Sequence, residues 1–164
     1  MPWVRHAIRW MLFVAATTGW TNGATIANQA TLHYRSGTAP FSVQSNRVED
    51  PIVDSNDTNG SGTVDPNQRL KLTKTAHYAS HQLYKGSVVD YTIRIEALSD
   101  QPVQSAVFVD TIPSGTSFVP GSVTLDGQAK DDANVFDGSA VRIALPDMNQ
   151  GDVHTVKFRV RVNK

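Results

Sequence analysis

The sequence predicts an all-β chain: an immunoglobulin-like antiparallel β-sandwich with an additional N-terminal β-hairpin. Three observations predict it. Beyond residue 25, apolar side chains recur at every second position over several stretches, the period of a half-buried strand. Turn signals (Lys85-Gly86, Pro113-Ser-Gly115, Pro120-Gly121, Asp126-Gly127, Asp137-Gly138, Gln150-Gly151-Asp152) separate these stretches at the spacing of a sandwich. Of the 15 acids only Glu49 and Glu96 are Glu, and Asp suits turns where Glu suits helices. The 15 Lys and Arg cancel the acids. That balance argues against a nucleic-acid or anionic-membrane partner, since both need a positive surplus. With no Cys, a disulfide framework, a thiolate zinc site and a cysteine nucleophile are excluded.

Residues 1–24 read as a signal peptide. Arg5 and Arg9 give a positive start, Trp10 to Ala16 is apolar, and Thr21-Asn22-Gly23-Ala24 is small and polar. The apolar run is too short to span a bilayer, which takes about 20 residues. Cleavage is expected after Gly23 or Ala24, which places the product in the periplasm or at the cell surface, without a membrane span.

Residues 25–53 read as a hairpin. Ala30, Leu32 and Tyr34 take one face and Thr31, His33 and Arg35 the other. A loose connection over Ser36 to Pro40 leads to a second extended stretch from Phe41 to Val53. Two strands are not stable alone, so this hairpin must pack on its own chain or on another. Residues 54–65 read as an acidic flexible linker. Calcium is the alternative there, because Asp54, Asn56, Asp57, Asn59 and Asp65 offer hard oxygen donors. Neither twelve-residue frame succeeds: Gly60 in sixth place puts Ser55 first and Pro66 last, and Asp54 in first place puts Asn59 where Gly belongs.

Residues 66–164 carry the main sandwich. Leu70 and Leu72 open a strand. Val89, Tyr91, Ile93 and Ile95 alternate with Asp90, Thr92, Arg94 and Glu96. Further strands are expected at Val103 to Val109, around Phe118-Val119, over Ser122 to Leu125 and over Ala140 to Leu145. The last alternates Val156, Phe158, Val160 and Val162 with Lys157, Arg159 and Arg161.

Five stretches carry a resemblance. They are Leu72-Thr-Lys-Thr75, the strand Val89 to Ile95 after Lys85-Gly86, the run Val109-Asp-Thr-Ile-Pro-Ser-Gly through Phe118-Val-Pro-Gly-Ser-Val123, the short polar turn Asn149-Gln-Gly-Asp152, and the final strand Val156 to Val162. Over about 95 residues this segment resembles the conserved repeat domain of bacterial surface proteins known as domain of unknown function eleven. In that family the body is followed by an Asn-x-Ala strand and a Ser-Asn-x-Val strand. Here the matching pieces, Asn28-Gln-Ala30 and Ser45-Asn-Arg-Val48, come first. The resemblance implies a non-catalytic exported envelope module, structural or adhesive, whose partners are envelope proteins or like modules. A glycan- or protein-binding module is one alternative. A subunit that donates its hairpin to a neighbour is another.

No catalytic constellation emerges, since no nucleophile, base and oxyanion set is visible. His77 and His81 have a helical metal spacing but lie in a predicted inter-strand region. His33 and His154 fall on outward parities, and the adjacent Asp131 and Asp132 are expected to diverge in a solvated loop. Tyr78 and Tyr84, with Tyr34 or Phe108 as lesser choices, are the candidate ligand platform; equally, one or both of Tyr78 and Tyr84 could cap the sandwich. An internal Lys–Asn isopeptide bond is known in several surface-protein sandwiches. Lys74 shares the inward parity of Leu70 and Leu72, whereas Glu96 and Asn163 fall on outward parities. Those three are therefore not expected to meet in a dry core.

Overall fold

The computed structural model describes residues 26–49, 63–64, 69–79 and 83–163. Two antiparallel sheets pack face to face, with a short two-stranded ribbon beside them. The longest pair is β7 (Val88–Ala97) with β13 (Val153–Val162), in register from Val88↔Arg161 to Glu96↔Val153. Their inward residues Val89, Tyr91, Ile93, Ile95, Val156, Phe158, Val160 and Val162 are all buried, as the alternation requires. β6 (Leu70–His77) lies on the other side of β7. The short strand β5 (Thr63–Val64), in a stretch read as linker, pairs with β6. On its far side β13 pairs with β9 (Thr116–Phe118) and with β10 (Thr124–Leu125), which continues to β11 (Gln128–Ala129). The β10–β11 turn places both Asp126 (φ 52°) and Gly127 (φ 80°) in the left-handed region. Tight hairpins favour that geometry because it matches strand twist.

The facing sheet runs β12 (Ala140–Ala144), β8 (Gln104–Thr111), β2 (Ala30–Ser36), β3 (Ala39–Gln44). The N-terminal hairpin is therefore half of this sheet. β2 pairs with β8 of the same chain, Ala30↔Asp110 and Leu32↔Phe108, and this pairing supplies the packing that an isolated ribbon lacks. Its connection is tight rather than loose: Ser36 pairs with Ala39 across Gly37 and Thr38, with Gly37 at φ 60°.

The second hairpin stretch does not run unbroken to Val53. β3 ends at Gln44, and Ser45 turns its hydroxyl to accept the Ala30 N–H at 3.0 Å. The chain then resumes as β4 (Val48–Glu49), paired with β1 (Ala27–Asn28). One short helix, α1 (Asp132–Val135), stands where a plain loop was expected. Asp131 caps it by accepting the Ala133 N–H at 3.2 Å.

Candidate functional site

The core between the sheets contains an ion pair. Leu70, Leu72 and Lys74 share one face of β6, and all three are fully buried. Lys74 crosses from its own sheet to β8 in the other, where its Nζ donates to Asp110 Oδ2. Asp110 shares the inward parity of Ala106 and Phe108 and is also fully buried. Aromatic rings wall the pair: Nζ lies 4.5 Å from the centroid of Tyr91 and 5.6 Å from that of Phe158.

Two asparagines complete the site. Asn46 acts as a surrogate strand for β6, accepting the Lys74 N–H at 2.7 Å on Oδ1 and donating from Nδ2 to the Lys74 carbonyl at 2.8 Å. Ser45 holds Asn46 in place, because its backbone N–H bonds the Ala30 carbonyl at 2.9 Å and its Oγ donates to the Asn46 carbonyl at 2.7 Å. Asn28 lies two residues before Ala30, the register partner of Asp110, and is 5% exposed. Its amide lies near enough to Asp110 to favour the ionised carboxylate. It is not aligned into a formed bond: Asn28 Nδ2 and Asp110 Oδ1 are both buried without a hydrogen-bond partner among the described residues.

Burial dominates the electrostatics. It pushes the Lys74 ammonium down to about 8, and the Asp110 charge and hydrogen bond only partly oppose it. It likewise raises Asp110, against the pull of Lys74 and then of Asn28. Both shifts favour the neutral forms, as removal from water must. A desolvated amine, a protonatable carboxyl and a carboxamide thus share one water-poor space. In such a space the amine is a nucleophile and the carboxyl can carry protons.

Parity placed Lys74 inward and left Asn163 outside, as found; Glu96 is partly exposed. It did not identify Asp110 and Asn28. The signals were present, since Asp110 continues the Ala106–Phe108 face and Asn28 continues the Ala30–Leu32 face.

The aromatic platform is corrected. Tyr78 is buried and lines a small apolar cavity with Ile26, Ala76 and Leu83. It caps the core instead of presenting a ring to a ligand. Phe108 is fully buried, and Tyr34 is buried and stacked on Phe41 at 5.4 Å. Tyr84 alone of the four is exposed, at 61%.

His77 is exposed at the end of β6, while His81 lies outside the described residues. The possible calcium donors Asp54, Asn56, Asp57, Asn59 and Asp65 also lie outside them. Among the described residues no three His, Asp or Glu side chains converge as a metal site, and no helix is long and apolar enough to cross a membrane. His154 is not simply solvated: its Nδ1 meets Asp126 Oδ2 at 2.6 Å. Asp131 and Asp132 do diverge, with Asp132 Oδ2 accepting the Gly121 N–H at 2.7 Å. Near them is an open groove of about 540 Å³, lined in part by Phe118 and Phe136, whose rings stack at 4.2 Å. No simple sequence period marks that groove, because its walls come from β9, α1 and the turns between them.

Comparison with protein-family models, curated proteins and solved structures finds no match to this chain.

Proposed function

We propose that this chain is an exported, non-catalytic module of the cell envelope, structural or adhesive, that works by presenting rigid sandwich faces to envelope proteins or like modules. The observation that carries the reading is the meeting of separate motif pieces. Asn28 and Ala30, Ser45 and Asn46, Lys74, and Asp110 lie on four stretches that resemble the surface-protein repeat, and their side chains or backbones assemble at one place. A shared motif set that builds a single inter-sheet tie supports kinship better than strand patterning, which any sandwich displays. The leader-like residues 1–24 support export.

Bacterial expression of the full chain, followed by fractionation and N-terminal sequencing, tests the reading. The expected product lies outside the inner membrane and begins at Ala24 or Thr25. A cytosolic product that keeps residues 1–24 would overturn it. The hairpin is already paired in cis with β8, which favours a monomer over a subunit that donates strands. Light scattering at rising micromolar concentration is expected to return a single monomer mass.

A further inference from the structure

We propose that Lys74 and Asn28 join through an intramolecular isopeptide bond, Nζ to Cγ, formed inside the folded chain with Asp110 as the proton carrier. The amine and the amide both approach Asp110, one from β6 and the other from β1, just before β2: Lys74 through a hydrogen bond to Oδ2, Asn28 through its buried side chain two residues before Ala30, the register partner of Asp110. The set is complete in kind, with a nucleophile, an electrophilic carbonyl carbon and one acid-base group. Among the described residues no second carboxylate pairs with Lys74, so an alternative Lys74–Asp110 bond would lack its own proton carrier.

The step balances without a co-reactant. The Lys74 ammonium passes a proton to the Asp110 carboxylate, leaving a neutral amine and a neutral acid. The Nζ lone pair attacks Asn28 Cγ while Asp110 protonates the carbonyl oxygen. Asp110 then takes a proton from Nζ and passes it to Nδ2, which leaves as ammonia, and as the C=O re-forms its hydroxyl proton returns to Asp110, which ends as the neutral acid. One C–N bond forms and one breaks, and nothing is oxidised or reduced. Burial of the pair lowers the fraction of charged amine and raises the fraction of protonated acid, the two forms that the first step needs. Holding the groups together in the folded core makes the reaction unimolecular.

The bond accounts for features that are otherwise liabilities. Among the described residues Asn28 Nδ2 is a buried donor without a partner, and such orphans are rare in native cores; condensation expels it. A buried ion pair is costly to desolvate; condensation replaces the ammonium with a neutral amide, and its N–H can donate to Asp110. The asparagine clamp on the Lys74 backbone fixes where the amine emerges from β6. This inference is independent of the export reading, because the bond would form wherever the chain folds.

Intact mass of the denatured full chain, with its N-terminus established by sequencing, tests it. The wild-type chain is expected to be lighter than its sequence by one ammonia. A digest is expected to contain one branched species holding both Asn28 and Lys74. Lys74→Arg, Asn28→Ala and Asp110→Asn are each expected at full sequence mass, with a β-type circular-dichroism spectrum for the last showing that loss of the bond is not loss of the fold. Full sequence mass in folded wild-type protein overturns the inference whether or not any variant folds. Loss of one water, with Lys74 joined to Asp110, overturns the assignment of Asn28 as the electrophile.

Discussion

Two carboxylates paired with cations occupy opposite environments in this molecule. Asp137 lies on the surface, where Arg142 Nε donates to Oδ2 at 2.5 Å. Its Oδ1 accepts the Ser139 N–H at 2.9 Å, the Ser139 hydroxyl at 2.8 Å and the Ala140 N–H at 2.8 Å. These donors, Arg142 first, hold its carboxyl well below the usual range. Asp110 has an equally close cation but little else, and burial raises it instead. The cation alone does not set the sign of the shift. The supply of donors and the presence of water decide it. Asp137 is an over-satisfied anion that organises a turn, whereas Asp110 is an under-satisfied one kept ready to accept a proton.

The largest test of this contrast removes the interior anion. In a chain carrying Asn28→Ala, which cannot form the proposed cross-link, Asp110→Ala leaves a lone Lys74 cation in an apolar core. It is expected to cost about 3–5 kcal/mol in urea unfolding. Adding Lys74→Met removes the unpaired charge and should restore most of that stability. A cost well under 1 kcal/mol would mean that the pair is not desolvated.

The pH response is the next test. With its amine free, burial holds Lys74 at about 8 against an ordinary 10.5, and the Asn28→Ala chain, which cannot form the cross-link, is expected to keep that lowering. Between those values the unfolded chain binds more protons, so the contribution of Lys74 makes stability rise with pH across that window. The rise should vanish on adding Lys74→Met.

A smaller effect is expected for Asn46→Ala, which deletes the two bonds to the Lys74 backbone. At about 0.5–1.5 kcal/mol each, the loss is about 1–3 kcal/mol by the same unfolding measurement. Smallest of all is Asp137→Ala. The Asp137 contribution is present above the ordinary carboxyl range and fades as pH falls through its depressed folded value. Its exposed pair is screened by salt, so the urea midpoint should barely move at neutral pH and still less in 1 M salt.

Much of the fold was legible in the chain. The period of two identified the inward residues of β7 and β13, because a side chain's face on a strand depends only on its position along that strand. The turn pairs were legible for a similar local reason: Gly127 and Gly86 take left-handed angles that other residues resist. Tyr78 stayed open between platform and cap because it follows β6 at its end, where alternation no longer says which way a ring folds; the structure makes it a cap. The break at Ser45 was missed because Ser45 and Asn46 leave their ladder to bond Ala30 and Lys74, contacts that lie 15 and 28 residues away in sequence.

By itself the sequence determined an all-β chain, the strand faces, and a lysine aimed into the core. Only the tertiary structure decided what that lysine meets. The partners of Lys74 depend on which strand of the opposite sheet lies across from β6, and on the Ala30↔Asp110 register that brings Asn28 beside the carboxyl. Alternation is a property of one strand, whereas that meeting is set by the long-range pairing of β2 with β8 and by the packing of β6 across the sandwich from β8.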